Sequence, residues 1–270
     1  MQNNVLDYLN DSLKRVPDKI AYADDEVELS FADVKRIMDS VGTGLLNKGC
    51  SREPVIVFMK ISPNTIATFF GVINAGCYYV PIDSEMPATR INLILDNCKP
   101  KVIICDDSTV EIAKGFDYQA DIVLFSEISQ TAADDEALAR VRKKAIDTDP
   151  IYIVFTSGST GVPKGVCACH RSVIDYIEQL SETLGFNEDT IFGNQTPLYF
   201  DACLKELYPT LKFGATTYLI PHSYFMFPIK LVEYINEHNI NTVCWVVSAL
   251  TMISAFATFD TVVPHTLRTI

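Results

Sequence analysis

The run Ile151-Tyr152-Ile153-Val154-Phe155-Thr156-Ser157-Gly158-Ser159-Thr160-Gly161-Val162-Pro163-Lys164-Gly165-Val166 joins an unbroken apolar segment to a loop of glycines and hydroxyls. The apolar half reads as a buried strand. A helical pattern begins near Arg171. Gly158, Gly161 and Gly165 let a backbone turn tightly and come close to a ligand. Thr156, Ser157, Ser159 and Thr160 carry hydroxyls that donate to phosphate oxygens. Successive N–H groups in such a turn form an anion-binding concavity, and Lys164 adds a positive charge. Composition alone also fits a plain surface loop. The strand before it, the single lysine and the absence of other low-complexity sequence point to nucleotide phosphates. Neither Gly-Lys-Ser/Thr nor G-x-G-x-x-G occurs, so this is not a Walker loop or a dinucleotide fingerprint.

Outward from this run, strand-like and helix-like patterns alternate. Residues 19–31 read as a short hairpin, and Val34, Ile37, Val41 and Leu45 recur at helical spacing up to Gly49. Strands are expected at 54–59, 77–82, 101–105, 121–125, 151–156, 190–195, 216–220 and 241–247. Helices are expected at 64–75, around 91–98, and at 171–184, 201–212, 229–238 and 249–258. Strands alternating with helices of this length imply an α/β fold with largely parallel sheets covered on both faces. The polar stretch 130–148 reads as a surface helix and connector. It places an internal boundary there, with a first α/β sub-lobe at 1–148 and a second at 149–270. Ligands of open α/β sheets bind beyond the carboxyl ends of strands, and the glycine-rich loop follows such an end.

The chain has 270 residues, 48% apolar and 21% charged, with a formal net charge of −12. That charge argues against sequence-independent binding to nucleic acid or anionic membrane, both of which need basic surfaces. No apolar run approaches the roughly 18 residues of a spanning helix, and the polar start of the chain is not a secretory signal. Eight cysteines are scattered along it. Cys105 and Cys244 lie in apolar runs and read as buried small hydrophobes. Cys167-x-Cys169 lacks a second pair at metal spacing, so no metal site is expected. Scattered thiols suit a reducing cytoplasm.

The Thr156–Val166 run resembles the phosphate loop of the AMP-forming adenylating enzymes, which include acyl-CoA synthetases, D-alanine–carrier-protein ligases and nonribosomal peptide synthetase adenylation domains. Further stretches match in order: Leu29-Ser30-Phe31 with Ala32-Asp33-Val34, then Ala75-Gly76-Cys77-Tyr78-Tyr79-Val80-Pro81-Ile82-Asp83, then Phe200-Asp201-Ala202 with Leu207-Tyr208-Pro209. The last two are similar to the amino-acid-activating branch. The resemblance implies the amino-terminal lobe of such an enzyme, built of two stacked α/β sub-lobes. It implies ATP with Mg2+ as cofactors. Thr156, Ser157, Gly158, Ser159, Thr160, Gly161 and Lys164 would hold the phosphates while a carboxylate attacks the α-phosphate and pyrophosphate leaves. The acyl group would then pass to a thiol, typically the phosphopantetheine of a carrier protein, or to CoA. The family's adenine, magnesium and ribose elements, and the mobile domain carrying its adenylation lysine, have no counterpart in the 270 residues. The expectation is an amino-terminal part that does not complete adenylation alone.

On the substrate side, Asp201 opens a helical pattern and is open to two readings. It is a helix N-cap, or, as the resemblance implies, the carboxylate that grips a substrate's α-ammonium, with Phe200 beside it. Lys205 lies one turn on. It is a surface lysine, a partner of Asp201, or the lining of a pocket for an acidic side chain. His170 either approaches the nucleotide or starts the helix. A fatty- or aryl-acid CoA ligase and a non-catalytic module on the same fold remain as alternatives.

Overall fold

The computed structural model describes residues 2–156 and 163–270. Its strands are β1 (Ile20–Ala23), β2 (Glu28–Ser30), β3 (Pro54–Phe58), β4 (Tyr78–Pro81), β5 (Val102–Cys105), β6 (Asp121–Leu124), β7 (Pro150–Thr156), β8 (Lys164–Cys169), β9 (Ile191–Asn194) and β10 (Thr216–Leu219). Two compact units form: residues up to Asp7 with Asp33–Asp175, and Tyr8–Ala32 with Tyr176–Ile270. The boundary expected at 148/149 is thus corrected, for two reasons of pairing. β7 is hydrogen-bonded to β4 with Tyr79 opposite Tyr152, which places it in the first unit. The amino-terminal β1 pairs in parallel with β10, which places the first hairpin in the second unit.

The first unit holds a six-stranded sheet in the order β6-β5-β3-β4-β7-β8. Every neighbouring pair is parallel except β7 with β8. The sequences of β3, Pro-Val-Ile-Val-Phe, and β5, Val-Ile-Ile-Cys, are buried at every position. Parallel strands covered on both faces require such continuous apolar runs. Ile56, Phe58, Val80, Ile103 and Cys105 share one core with Ile91, Ile94 and Leu95 of the helix Ala88–Cys98. The helix Pro63–Asn74 is buried along nearly its whole length, because its sequence is apolar all round. Ser62 starts it by accepting from the Thr65 amide at 3.3 Å, with Pro63 at its first position. Phe69 of this helix stacks on Tyr79 of β4, with centroids 4.2 Å apart and planes 8° from parallel.

β8 is an element the sequence did not announce. Residues 164–166, expected in the loop, are its first three positions, and the ladder runs from Tyr152↔Ala168 to Thr156↔Lys164. Being an edge strand, β8 is exposed or half-buried throughout, so it lacks the apolar alternation that signals a strand. Gly165 has a packing reason. A Cβ there would meet Ile153 Cγ2 at 2.7 Å and the Phe155 ring at 3.1 Å.

The second unit holds a four-stranded sheet in the order β2-β1-β10-β9. β1, β10 and β9 are parallel, and β2 closes the expected amino-terminal hairpin. The strand expected at 241–247 reduces to a single bridge position, Thr242, paired with Phe192 and with Thr269. Thr242 accepts from the Gly193 amide at 3.0 Å. The next rung would run from the Cys244 amide to the Gly193 carbonyl. Instead the Trp245 indole donates to that carbonyl at 2.7 Å. With that acceptor taken the ladder stops, and a helix begins at Val247.

Gly165→Ala should destabilise the first unit by about 1–3 kcal/mol, since Ile153 Cγ2 is too close to its own backbone to swing away. A urea midpoint unchanged from that of the natural chain would contradict this packing.

Candidate functional site

In the first unit, Thr156 ends β7 and Lys164 begins β8, and the two stand opposite each other. The Thr156 hydroxyl lies 3.5 Å from the Lys164 carbonyl oxygen. Both residues are exposed. The Lys164 ammonium has no ion-pair partner among the described residues, so its charge is open to an incoming anion. Ser157, Gly158, Ser159, Thr160 and Gly161, the other residues expected to hold phosphate, lie outside the described residues. This hairpin stem stands at the carboxyl end of β7, and β4 runs parallel to β7, so Pro81 ends its strand at the same edge.

His170 resolves to its second reading. It is the first residue of the helix His170–Leu184 and only 3% exposed. Its Nδ1 accepts the Val5 amide at 3.2 Å. Burial pulls its pKa down to about 4, so the imidazole is neutral and already engaged.

In the second unit, Asp201 stands beyond the carboxyl end of β9 and opens the turn Asp201–Cys203 that leads into the helix Leu204–Phe213. The N-cap reading fails, because Phe200 caps the turn and Cys203 the helix, neither with a side-chain bond. The Asp201 carboxylate is exposed and makes no hydrogen bond or ion pair among the described residues. Lys205 is half-buried and forms no ion pair with Asp201. Phe200 is 49% exposed, its ring 4.9 Å from that of Tyr199. The structure therefore presents Asp201, Phe200 and Lys205 together on one short segment, with neither charged group in an ion pair among the described residues.

Glu206 was not anticipated. It is fully buried. Asn194 Nδ2 donates to its Oε2, and Oε1 has no hydrogen-bond partner among the described residues. Burial pushes its pKa up to about 8, against the smaller lowering by Asn194, Cys244 and Lys205. A signal existed in the sequence. Cys203, Glu206, Leu207 and Thr210 follow i, i+3, i+4, i+7 spacing and are all buried. Thus the glutamate sits on the core-facing stripe. The Cys203 thiol in that stripe is pushed up by burial, then by Glu206 and Asp201, and is no nucleophile.

All eight cysteines are unpaired, Cys105 buried as expected but Cys244 only half-buried. Among the described residues no cluster of His, Cys, Asp or Glu is placed to hold a metal ion. None of the described helices is long and apolar enough to cross a membrane.

Residues 9–270 match the family described as AMP-binding enzyme. The chain belongs to that family. It is 29% identical over 239 residues to a D-alanine–D-alanyl carrier protein ligase of Lactiplantibacillus plantarum, which covers 82% of this chain and 43% of the relative. It is 31% identical over 226 residues to the ligase of the same description from Listeria monocytogenes, covering 82% and 43%. Tyrocidine synthase 1 of Brevibacillus parabrevis is 28% identical over 205 residues, covering 76% of this chain and 19% of the relative. The chain thus spans less than half the length of these curated relatives. Among solved structures, VinN superposes with a TM-score of 0.83 at 20% identity, over 99% of this chain and 68% of that one. The fold is that of the amino-terminal lobe of adenylate-forming enzymes.

The Glu206 carboxyl gives this region a pH signature. Below its ordinary value of 4.5 both folded and unfolded states hold the proton; up to about 8 only the folded state does. Stability should therefore fall as pH rises through that window, by at most about 1.4 kcal/mol per pH unit. Glu206→Gln should flatten this slope in urea denaturation between pH 5.5 and 8.5. Equal slopes for the two proteins would contradict a protonated Glu206.

Proposed function

We propose that this chain is the amino-terminal part of a ligase that activates an amino acid with ATP, giving an aminoacyl-adenylate and pyrophosphate. The acyl group is then handed to a carrier's phosphopantetheine thiol. The observation that carries the amino-acid reading is the Asp201 carboxylate, exposed and uncommitted at the carboxyl end of β9. A carboxylate and an ammonium 4 Å apart attract by about 4 kcal/mol at an effective dielectric near 20, before desolvation is subtracted. A fatty or aryl acid offers nothing to that charge. Relatives fit this reading. By its name the Lactiplantibacillus plantarum ligase acts on D-alanine and a carrier protein, and solved neighbours carry glycine with AMP, or L-aspartate.

In the reaction, a substrate carboxylate oxygen forms a bond to the α-phosphorus of ATP, and the bond from that phosphorus to the pyrophosphate oxygen breaks. Negative charge builds on the departing pyrophosphate. Lys164 and the hydroxyls of the 156–161 segment meet it, and such preorganised donors are where catalysis by positioning arises. Lys164, exposed and without an ion pair among the described residues, fits an anionic phosphate chain. Magnesium would arrive with the nucleotide and neutralise its phosphates. Lys205, one turn beyond Asp201, would receive an acidic substrate side chain. The 270 residues are proposed to bind nucleotide phosphates. The unpaired thiols accord with a reducing cytoplasm.

The test is ATP–pyrophosphate exchange by the intact enzyme across all amino acids and a set of fatty and aryl acids. One or a few amino acids should drive exchange. Asp201→Ala should lower it on the order of 100-fold, about 3 kcal/mol. Lys205→Leu should remove any preference for an acidic side chain. Exchange driven by a fatty or aryl acid and by no amino acid would overturn the proposal.

A further inference from the structure

The first unit contains a cleft of about 320 Å³ away from the β7–β8 hairpin stem. It lies at the opposite edge of the six-stranded sheet, where Arg52 precedes β3, Gly76 precedes β4 and Asp149 precedes β7. One wall is a face of the helix Asp135–Lys144. Ala137, Arg140, Val141 and Lys144, spaced i, i+3, i+4 and i+7, all line it. That face offers two small apolar groups as a floor and two cations above them.

The charges are unusual for this chain. Arg52, Arg140 and Lys144 face a single acid, Asp149, in a protein whose formal net charge is −12. Asp149 is already engaged, with the Arg52 guanidinium at 3.1 Å and the Ile146 amide at 3.0 Å. Arg140 reaches only exposed Glu136, at 3.7 Å, and Lys144 has no ion pair among the described residues. Like charges four residues apart on a helix repel, so Arg140 and Lys144 gain when an anion sits between them.

Arg52 supplies an independent sign. Its φ is +51°, in the left-handed region that a non-glycine residue adopts at a cost. Backbone strain of this kind gathers at ligand clamps. The strain is held by the Arg52 amide, which donates to the Gly76 carbonyl at 3.2 Å, and by the Asp149 pair. A left-handed turn ordinarily takes Gly or Asn; here it carries a cation on the rim of a cavity. Gly76 cannot be larger, since a Cβ would meet Val141 Cγ1 at 2.8 Å.

We infer that this cleft binds a small organic anion, a carboxylate or phosphate head on a short apolar body. The head lies between Arg140 and Lys144, and the body rests on Ala137 and Val141. The volume is at the lower end of ligand pockets, roughly 300–1,000 Å³, which limits the ligand to a single small ring or short chain. The site lies at the opposite sheet edge from the β7–β8 hairpin stem and does not depend on the proposed function.

The test is titration of the chain at low salt with benzoate and with phenyl phosphate. Inorganic phosphate and benzylammonium serve as controls, and the amides of residues 137–145 are followed by NMR. Benzoate, phenyl phosphate or both should saturate these resonances, more tightly than inorganic phosphate, while benzylammonium leaves them unmoved. The stronger of the two aryl anions identifies the head group. Arg140→Gln with Lys144→Gln should weaken binding at least about tenfold. Ala137→Trp should block it by filling the floor, with the charges intact; should that variant fail to fold, the charge variant decides. Inorganic phosphate binding as tightly as the aryl anions, equal binding of benzylammonium, no saturable shift, or binding that survives the charge variant would overturn the inference.

Discussion

The antiparallel pairing of β7 with β8 is the constraint on which the functional reading rests. It is the one reversal of direction in an otherwise parallel sheet. A buried parallel strand normally leaves its carboxyl end for a crossover helix. Here the next strand runs back along β7, so Thr156 and Lys164 are fixed opposite each other at the carboxyl edge. The close approach of Gly165 to Ile153 and Phe155 sets how tightly the return strand lies on its partner. Lys164, without an ion pair among the described residues, is held on a strand, so its backbone loses little further freedom when its ammonium meets a phosphate.

The second unit reaches a similar end by a different route. The ladder beyond β9 is stopped by a side chain. The Trp245 indole takes the Gly193 carbonyl. Glu206 belongs to the helix that follows Asp201, so one buried carboxyl connects that helix to Asn194 at the end of β9. The cost is a carboxyl group in an apolar core, which it meets by keeping its proton. The exposed Asp201 a turn earlier makes no hydrogen bond or ion pair among the described residues. Two carboxyls five residues apart thus differ sharply in burial.

Much of this was readable in the sequence because the buried strands are short, continuous apolar runs bounded by turn residues. β3, β5 and β7, and the helix from Pro63 capped by Ser62, follow that rule directly. β8 was hidden because an edge strand has no buried face to impose alternation. Residues 241–247 looked like a strand because Val243, Trp245, Val246 and Val247 are apolar; a side-chain hydrogen bond, which no pattern of hydropathy reveals, ended it at Thr242. The unit boundary was misplaced at the polar connector, since the crossing of β1 into a sheet with β10 is a pairing between distant parts of the chain. Of the candidate site, Asp201, Phe200 and Lys205 were named through the family resemblance, whereas Glu206 was not singled out, glutamate being almost never fully buried unless paired.

The account stands on the β7–β8 hairpin holding the phosphate chain of a nucleotide. Its most direct test is 31P NMR of Mg–ATP titrated with the chain, alongside the Lys164→Ala variant. The β- and γ-phosphorus resonances should shift and broaden saturably with the natural chain and far less with the variant, while ordinary far-UV circular dichroism shows both folded. Phosphorus resonances that stay unperturbed, or that respond equally to both proteins, would contradict it.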